Sequence, residues 1–239
     1  EYHAINGNFN PESALASGFV RGFYGFKDKY LLTATFRADG SSPFPKDRRW
    51  GFFPSVSAGW NVSREAFMKN VTFIDNLKLR ASWGELGNQD ISPGQYSSIY
   101  SLGQRYSYDG VLVGGAAQTN LSNPDISWET STQTDFGIDL TLFKGKLDLV
   151  ADYYKKSTTG ILRTSTISSV VGGLAPPVVN LASVENKGFE FLATHKNNIG
   201  AFNYTISGNL TINDNKVTKI EAPQIGSTSR LAEGSSINE

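Results

Sequence analysis

The sequence predicts an all-β fold, an antiparallel transmembrane β-barrel segment of about eight strands. Three observations predict it. Apolar and polar residues alternate with period two along most of the 239-residue chain. Short and long connections between these stretches follow one another in strict order. No run approaches the ~18 consecutive apolar residues that a membrane-crossing helix needs, so only strands could cross a bilayer.

The alternation identifies the strands one by one. In Tyr30–Asp39, Leu32, Ala34 and Phe36 share one face, and Thr33, Thr35, Arg37 and Asp39 share the other. In Phe52–Val62, Val56, Ala58, Trp60 and Val62 oppose Ser55, Ser57, Gly59 and Asn61. Leu77, Leu79, Ala81 and Trp83 oppose Lys78, Arg80 and Ser82. Further on, Phe136, Ile138, Leu140 and Leu142 alternate with Asp135, Gly137, Asp139 and Thr141. Leu147, Leu149, Ala151 and Tyr153 alternate with Asp148, Asp152 and a less tidy Val150. The clearest strand puts Phe202, Tyr204, Ile206, Leu210 and Ile212 against a polar row of Asn, Thr and Ser. Gly18–Phe26 and Asn186–His195 are weaker candidates.

Connections Lys27–Lys29, Lys144–Gly145 and Lys196–Gly200 are short, and Arg64–Asn76 is compact enough for a helical turn around Glu65–Lys69. Gly40–Trp50, Asn88–Ser127 and Thr158–Val184 are long. Outer-membrane barrels have this asymmetry, with short periplasmic turns and long extracellular loops. In such a barrel the apolar rows meet lipid and the polar rows line the lumen. Trp60, Trp83, Tyr30 and Tyr153 then fall where an aromatic girdle would sit. The inward rows are too polar to fill the narrow interior of a closed eight-stranded barrel, and suit a wide lumen. The last residues, Ser236–Glu239, lack a terminal aromatic, and no basic-then-apolar leader opens the chain. Residues 1–239 therefore read as an internal piece of a barrel domain, with plug, signal peptide and C-terminal strands lying elsewhere.

Composition narrows the function classes. The formal net charge is zero and basic residues are dispersed, which argues against nucleic acid as a partner. Charged residues make up 18% and aromatic residues 12%, a balance foreign to helix-rich soluble domains. With no Cys, a disulfide framework, a thiolate metal site and a Cys nucleophile are all excluded. His3 and His195 are far apart, and no Ser/His/Asp set or HExxH occurs. Asp148 and Asp152 share a strand face, but paired carboxylates are ordinary on a watery wall. Gly172-Gly173 lacks the GK[ST] of a phosphate loop. No cofactor or metal is implied, and an enzyme is not expected.

Four stretches resemble the SusC/RagA family of TonB-linked outer-membrane proteins. YLLTATFRADGSSPFPKDRRWGFFPSVSAGWNVSREAFMK (Tyr30–Lys69) is similar to that family's LTA…RxDGSSxF…RWGxFPSVSAGW run. LKLRASWGELGNQDI (Leu77–Ile91) resembles LKLRASYGxTGNQxI. NPDISWETSTQTDFGIDLTLFKGKLDLVADYYKKSTTGIL (Asn123–Leu162) and SVENKGFEFLATHKN (Ser183–Asn197), followed by NDNKVTKI (Asn213–Ile220), complete the series in family order. Departures are Ala38, where a basic residue is usual, and Pro43 and Pro45 in the following loop. The motifs themselves read as architecture. Asp39-Gly40-Ser41-Ser42 is turn chemistry, and Pro54 follows a strand start, where it spares the ladder.

The resemblance implies a larger, plugged barrel of 22 strands in the outer membrane. It also implies TonB-energised import of glycans or peptides, a SusD-like surface lipoprotein as lid, and a TonB–ExbB–ExbD complex acting through segments outside this chain. For ligand or lid contact the best candidates are Tyr96, Tyr100, Gln104, Arg105, Tyr106 and Tyr108 in the longest loop. Tyr rings stack on sugar faces while their hydroxyls hydrogen-bond. The plainer expectation is that this loop packs on its neighbours or on the lid. Thr158–Val184 is a second candidate for lid contact, and its composition also suits an extracellular hairpin. The alternative is a soluble or surface β-sandwich, a lectin-like carbohydrate-binding or adhesion protein, in which the apolar rows would pack on a second sheet.

Overall fold

A computed structural model describes residues 12–98, 100–220, 224–225 and 230–237. Eight strands form one antiparallel sheet: β1 (Leu15–Phe26), β2 (Tyr30–Ser41), β3 (Trp50–Asn61), β4 (Ile74–Asn88), β7 (Glu129–Leu142), β8 (Leu147–Thr164), β9 (Val178–Ile199) and β10 (Phe202–Ile220). Their order is β1-β2-β3-β4-β7-β8-β9-β10, a meander in chain order. One separate hairpin, β5 (Tyr100–Tyr108) with β6 (Val111–Gln118), is inserted between β4 and β7. A second small pair, β11 (Gln224–Ile225) with β12 (Arg230–Leu231), follows β10.

All eight sheet strands match expected ones, including the two weaker candidates. They run longer than the alternation alone suggested, up to 22 residues in β9, because both partners continue above the apolar band. Gly18–Phe26 reads weakly since Phe19 and Phe23 lie on the same face as Arg21, opposite Val20 and Tyr24. Val62 leaves its expected row, being buried in a 3-10 turn, Val62–Arg64. A second such turn, Ala66–Met68, lies within the expected helical stretch.

Register places the residues of each row side by side, and from β2 to β10 one face is apolar and the other mainly polar. One row reads Tyr24, Leu32, Ala58, Ala81, Phe136, Tyr153, Phe189 and Ile212 across the eight strands. The neighbouring row on the other face reads Phe23, Thr33, Ser57, Ser82, Asp135, Tyr154, Gly188 and Asn213. The apolar face is open: Phe136 is 56% exposed, Phe189 48% and Ile212 55%. Among the described residues no second sheet stacks on these rows. A β-sandwich would cover them, whereas a membrane strand presents them to hydrocarbon.

Short turns gather at one end. Lys27 and Asp28 (φ 52 and 53), and Phe143, Lys144 and Gly145 (φ 57, 59 and 77), take left-handed backbone in the β1–β2 and β7–β8 turns, the conformation tight hairpin connections demand. At this end Glu65 ties two turns together. Its carboxylate accepts from Lys29 Nζ (2.8 Å), Tyr30 Oη (2.7 Å) and Trp60 Nε1 (3.2 Å). Those hydrogen bonds, Lys29 foremost, hold the Glu65 carboxyl down at about 2. Phe26, Tyr30 and Trp60 stack in series at 6.4 Å spacing, an aromatic band where the expectation placed one. Trp83 and Tyr153 lie in mid-strand at the upper limit of the apolar band: Tyr153 belongs to the last apolar row, and Trp83 to the next one on the same face, which carries Lys155 and Lys187.

Candidate functional site

The inward wall is built from cross-strand polar pairs, and two glycines make room for the longest. Arg80 on β4 faces Gly137 on β7, and beyond it Asp152 on β8. A Cβ on Gly137 would lie 2.7 Å from the Arg80 guanidinium carbon, so its absence lets Arg80 cross the strand. Arg80 then donates from Nε and Nη2 to Asp139 (2.8–3.1 Å) and from Nη2 to Asp152 (2.9 Å). Tyr154 lies over Gly188 in the same manner and donates to Asn213 Oδ1 at 2.9 Å. Asp148 is paired with Lys196 at 2.8 Å and accepts from Thr141 at 2.9 Å. Asp148 and Asp152 thus serve two separate ion pairs in the wall. His195 packs against the Tyr204 ring, centroids 5.5 Å apart. Among the described residues no group of three His, Cys, Asp or Glu side chains could hold a metal.

At the long-loop end the inward face closes over apolar residues. Phe53 on β3 fills the spaces left by Gly51 and Gly87, whose Cβ positions its ring would occupy. Trp128 packs edge-on against Phe53 (5.5 Å) and tilted against Phe44 (5.0 Å). Phe44 and Ile126 are fully buried. Trp128 Nε1 donates to the Arg49 carbonyl at 3.2 Å, and Arg48 reaches Asp125 at 2.8 Å. These contacts dock the β2–β3 loop onto the NPDISW stretch, Asn123–Trp128.

Asn180 joins a third loop to the same place. Its Oδ1 accepts from Ser127 N (3.0 Å) and Ser127 Oγ (3.4 Å). Its Nδ2 donates to the Ser127 and Gly160 carbonyls (2.9 and 2.8 Å). Asn123 Nδ2 donates to Val178 O at 3.0 Å, and a parallel bridge links Asn120 with Ala175. Beside this, Leu181, Ala182, Val184, Val217 and Ile220 form a small core against Ile161, Val179 and Ile237. The long loops therefore rest on a knitted rim. Trp128 falls within a motif read from the sequence, whereas Asn180 carries no motif; its partners lie 20 and 53 residues away.

From this rim the β5–β6 hairpin projects. The expected long loop Asn88–Ser127 thus contains an inserted hairpin, 9 residues in β5 and 8 in β6, and Thr158–Val184 is itself a hairpin in which the ends of β8 and β9 stay paired as far as Thr164 and Val178. The inserted hairpin's signal in the sequence is Asp109-Gly110 between YSY and VLV, a type I′ turn with φ of 50° and 76°. A bulge at Gly103 switches the faces. Gln104, Tyr106 and Tyr108 consequently share a face with Val111 and Val113, whereas Tyr100 and Arg105 share the other with Leu102 and Leu112. Tyr96 lies before the hairpin and is half-buried. The six expected contact residues thus divide into a face of three, a face of two, and one at the base. Leu102, Leu112 and Tyr108 are 78%, 67% and 70% exposed.

The family model described as TonB dependent receptor-like, β-barrel, matches residues 4–233. TonB-dependent receptor P39 of Formosa agariphila is 39% identical over 208 residues, covering 87% of this chain and 20% of that protein. TonB-dependent receptor SusC of Bacteroides thetaiotaomicron is 34% identical over 216 residues, covering 89% of this chain and 22% of the relative. The chain thus spans about a fifth of the length of the curated relatives it matches. The RagAB peptide transporter has the same fold, at TM-score 0.82 and 24% identity over 93% of this chain and 25% of that one. An open antiparallel sheet with one apolar face, short turns at one end and knitted long loops at the other agrees with those matches, and the chain belongs to the TonB-dependent receptor β-barrel family.

Proposed function

We propose that this chain forms part of the wall and extracellular rim of a TonB-energised nutrient importer, working with a SusD-like surface lipoprotein. The family is one of outer-membrane receptors and transporters. Peptide transport is named for RagAB; for this chain the cargo is proposed as a glycan or peptide. TonB–ExbB–ExbD would act through segments outside these residues. No catalytic step is assigned, because the wall carboxylates nearest a catalytic pattern are committed to Lys196 and Arg80.

The observation that carries this reading is the projecting hairpin. A two-stranded hairpin exposed on both faces is at best marginal in water, and this one displays Tyr106 and Tyr108 on one face and Tyr100 and Leu102 on the other. Such a surface suits contact with the lipoprotein or with cargo entering beneath it, and the knitted rim gives it a fixed base. The test replaces Tyr96, Tyr100, Tyr106 and Tyr108 with Ala in the intact receptor. Uptake of its cargo and lipoprotein binding should both fall; unchanged uptake and binding would remove the hairpin from the contact surface.

A further inference from the structure

Among the described strand residues the outward face carries charge directly above the apolar band. Row by row across β4, β7, β8, β9 and β10, Ala81, Phe136, Tyr153, Phe189 and Ile212 are followed by Trp83, Thr134, Lys155, Lys187 and Asp214. The row above that reads Glu85, Thr132, Ser157, Glu185 and Lys216. On β8, β9 and β10 the change from wholly apolar to charged thus takes a single step of the ladder.

Lys155, Lys187 and Lys216 stand there with Glu185 and Asp214, three cations against two carboxylates. Lys155 Nζ lies 2.9 Å from Glu185, and Lys187 Nζ lies 4.0 Å from Glu185 and 3.5 Å from Asp214. The Lys155 and Lys187 side chains keep 49% and 46% of their surface exposed. A lysine ammonium has three donors, and the contact with Glu185 uses one at Lys155. Beyond these contacts both half-exposed ammonium groups keep donors for a further partner.

We propose that this outward patch binds the phosphate of an outer-leaflet glycolipid headgroup, Lys155 and Lys187 making the contact and Lys216 adding charge. The inference rests on the membrane reading of the apolar rows. Charge complementarity and continuity with the lipid-facing surface select this occupant: basic residues beside a membrane draw anionic headgroups, while Tyr153 and Phe189 just below suit the interfacial level.

The test places the intact receptor in phosphatidylcholine nanodiscs doped with lipid A, either phosphorylated or enzymatically dephosphorylated, and measures retained lipid by native mass spectrometry. Wild type should retain the phosphorylated form about tenfold better. The triple variant K155Q/K187Q/K216Q should lose that preference, and K155R/K187R/K216R should keep it. K156Q, one residue away but on the lumen face, should behave as wild type. Equal retention of the two lipids by wild type, or an undiminished preference in the triple Gln variant, would overturn the proposal. A receptor that fails to enter the bilayer at all would overturn the membrane reading itself, so the two failures are distinguishable.

Discussion

Single residues hold the two ends of this wall together, and each makes its effect through several bonds at once. Asn180 has both side-chain atoms engaged with Ser127 and Gly160. Leaving those backbone groups without a partner costs about 1–3 kcal/mol. Asn180→Ala in the intact receptor should therefore lower the thermal midpoint and open the 119–128 segment to protease, with the strands below unaffected. An unchanged midpoint and cleavage pattern would show that the rim does not depend on Asn180. At the opposite end, Glu65 has its carboxyl held at about 2, below its ordinary value of 4.5. Its stabilising contribution is complete above about 4.5 and is lost as pH falls towards 2. Amide exchange in the β1–β2 and β3–β4 turns should accelerate across that window in wild type. In Glu65→Gln the turns should already exchange faster at neutral pH, with that acid-induced step missing.

At the scale of elements, period two revealed the eight sheet strands because one face meets a single kind of environment along each strand. Where that condition fails, so does the pattern. β1 mixes Phe19 and Phe23 with Arg21 on the lumen face, and the β5–β6 hairpin is exposed on both faces, so neither face needs to be apolar throughout. Its turn was nevertheless legible in Asp109-Gly110. Gly110 has φ of 76°, a conformation that costs an L residue about 1–2 kcal/mol. In a hairpin that is marginal without a partner, Gly110→Val should speed amide exchange throughout Tyr100–Gln118. Exchange in the eight-stranded sheet should not change; protection of the hairpin equal to wild type would mean that its neighbours, and not its turn, maintain it. The polar rim was illegible for another reason. Asn180 and Ser127 come together only after the sheet register is set, and no local spacing anticipates a bond across 53 residues.

For the whole molecule, one face of the sheet is assigned to hydrocarbon and the other to water. Hydrocarbon requires that backbone groups pair within the sheet and that outward side chains be apolar. The row through Leu79, Ile138, Ala151, Phe191 and Leu210 meets that demand. The row beside it, Arg80, Gly137, Asp152, Glu190 and Thr211, carries charges that hydrocarbon would penalise heavily. These residues contain no Cys, so, with any Cys elsewhere in the intact receptor replaced, spin labels can be placed one at a time along β4 and β7 in lipid vesicles. Accessibility to dissolved oxygen and to a water-soluble nickel chelate then reads each position. Labels at 77, 79, 81, 136, 138 and 140 should collide with oxygen and be shielded from the chelate, while labels at 78, 80, 82, 135, 137 and 139 should show less oxygen contact. Loss of that two-residue rhythm, with the first set shielded from both reagents or open to the chelate, would contradict that assignment.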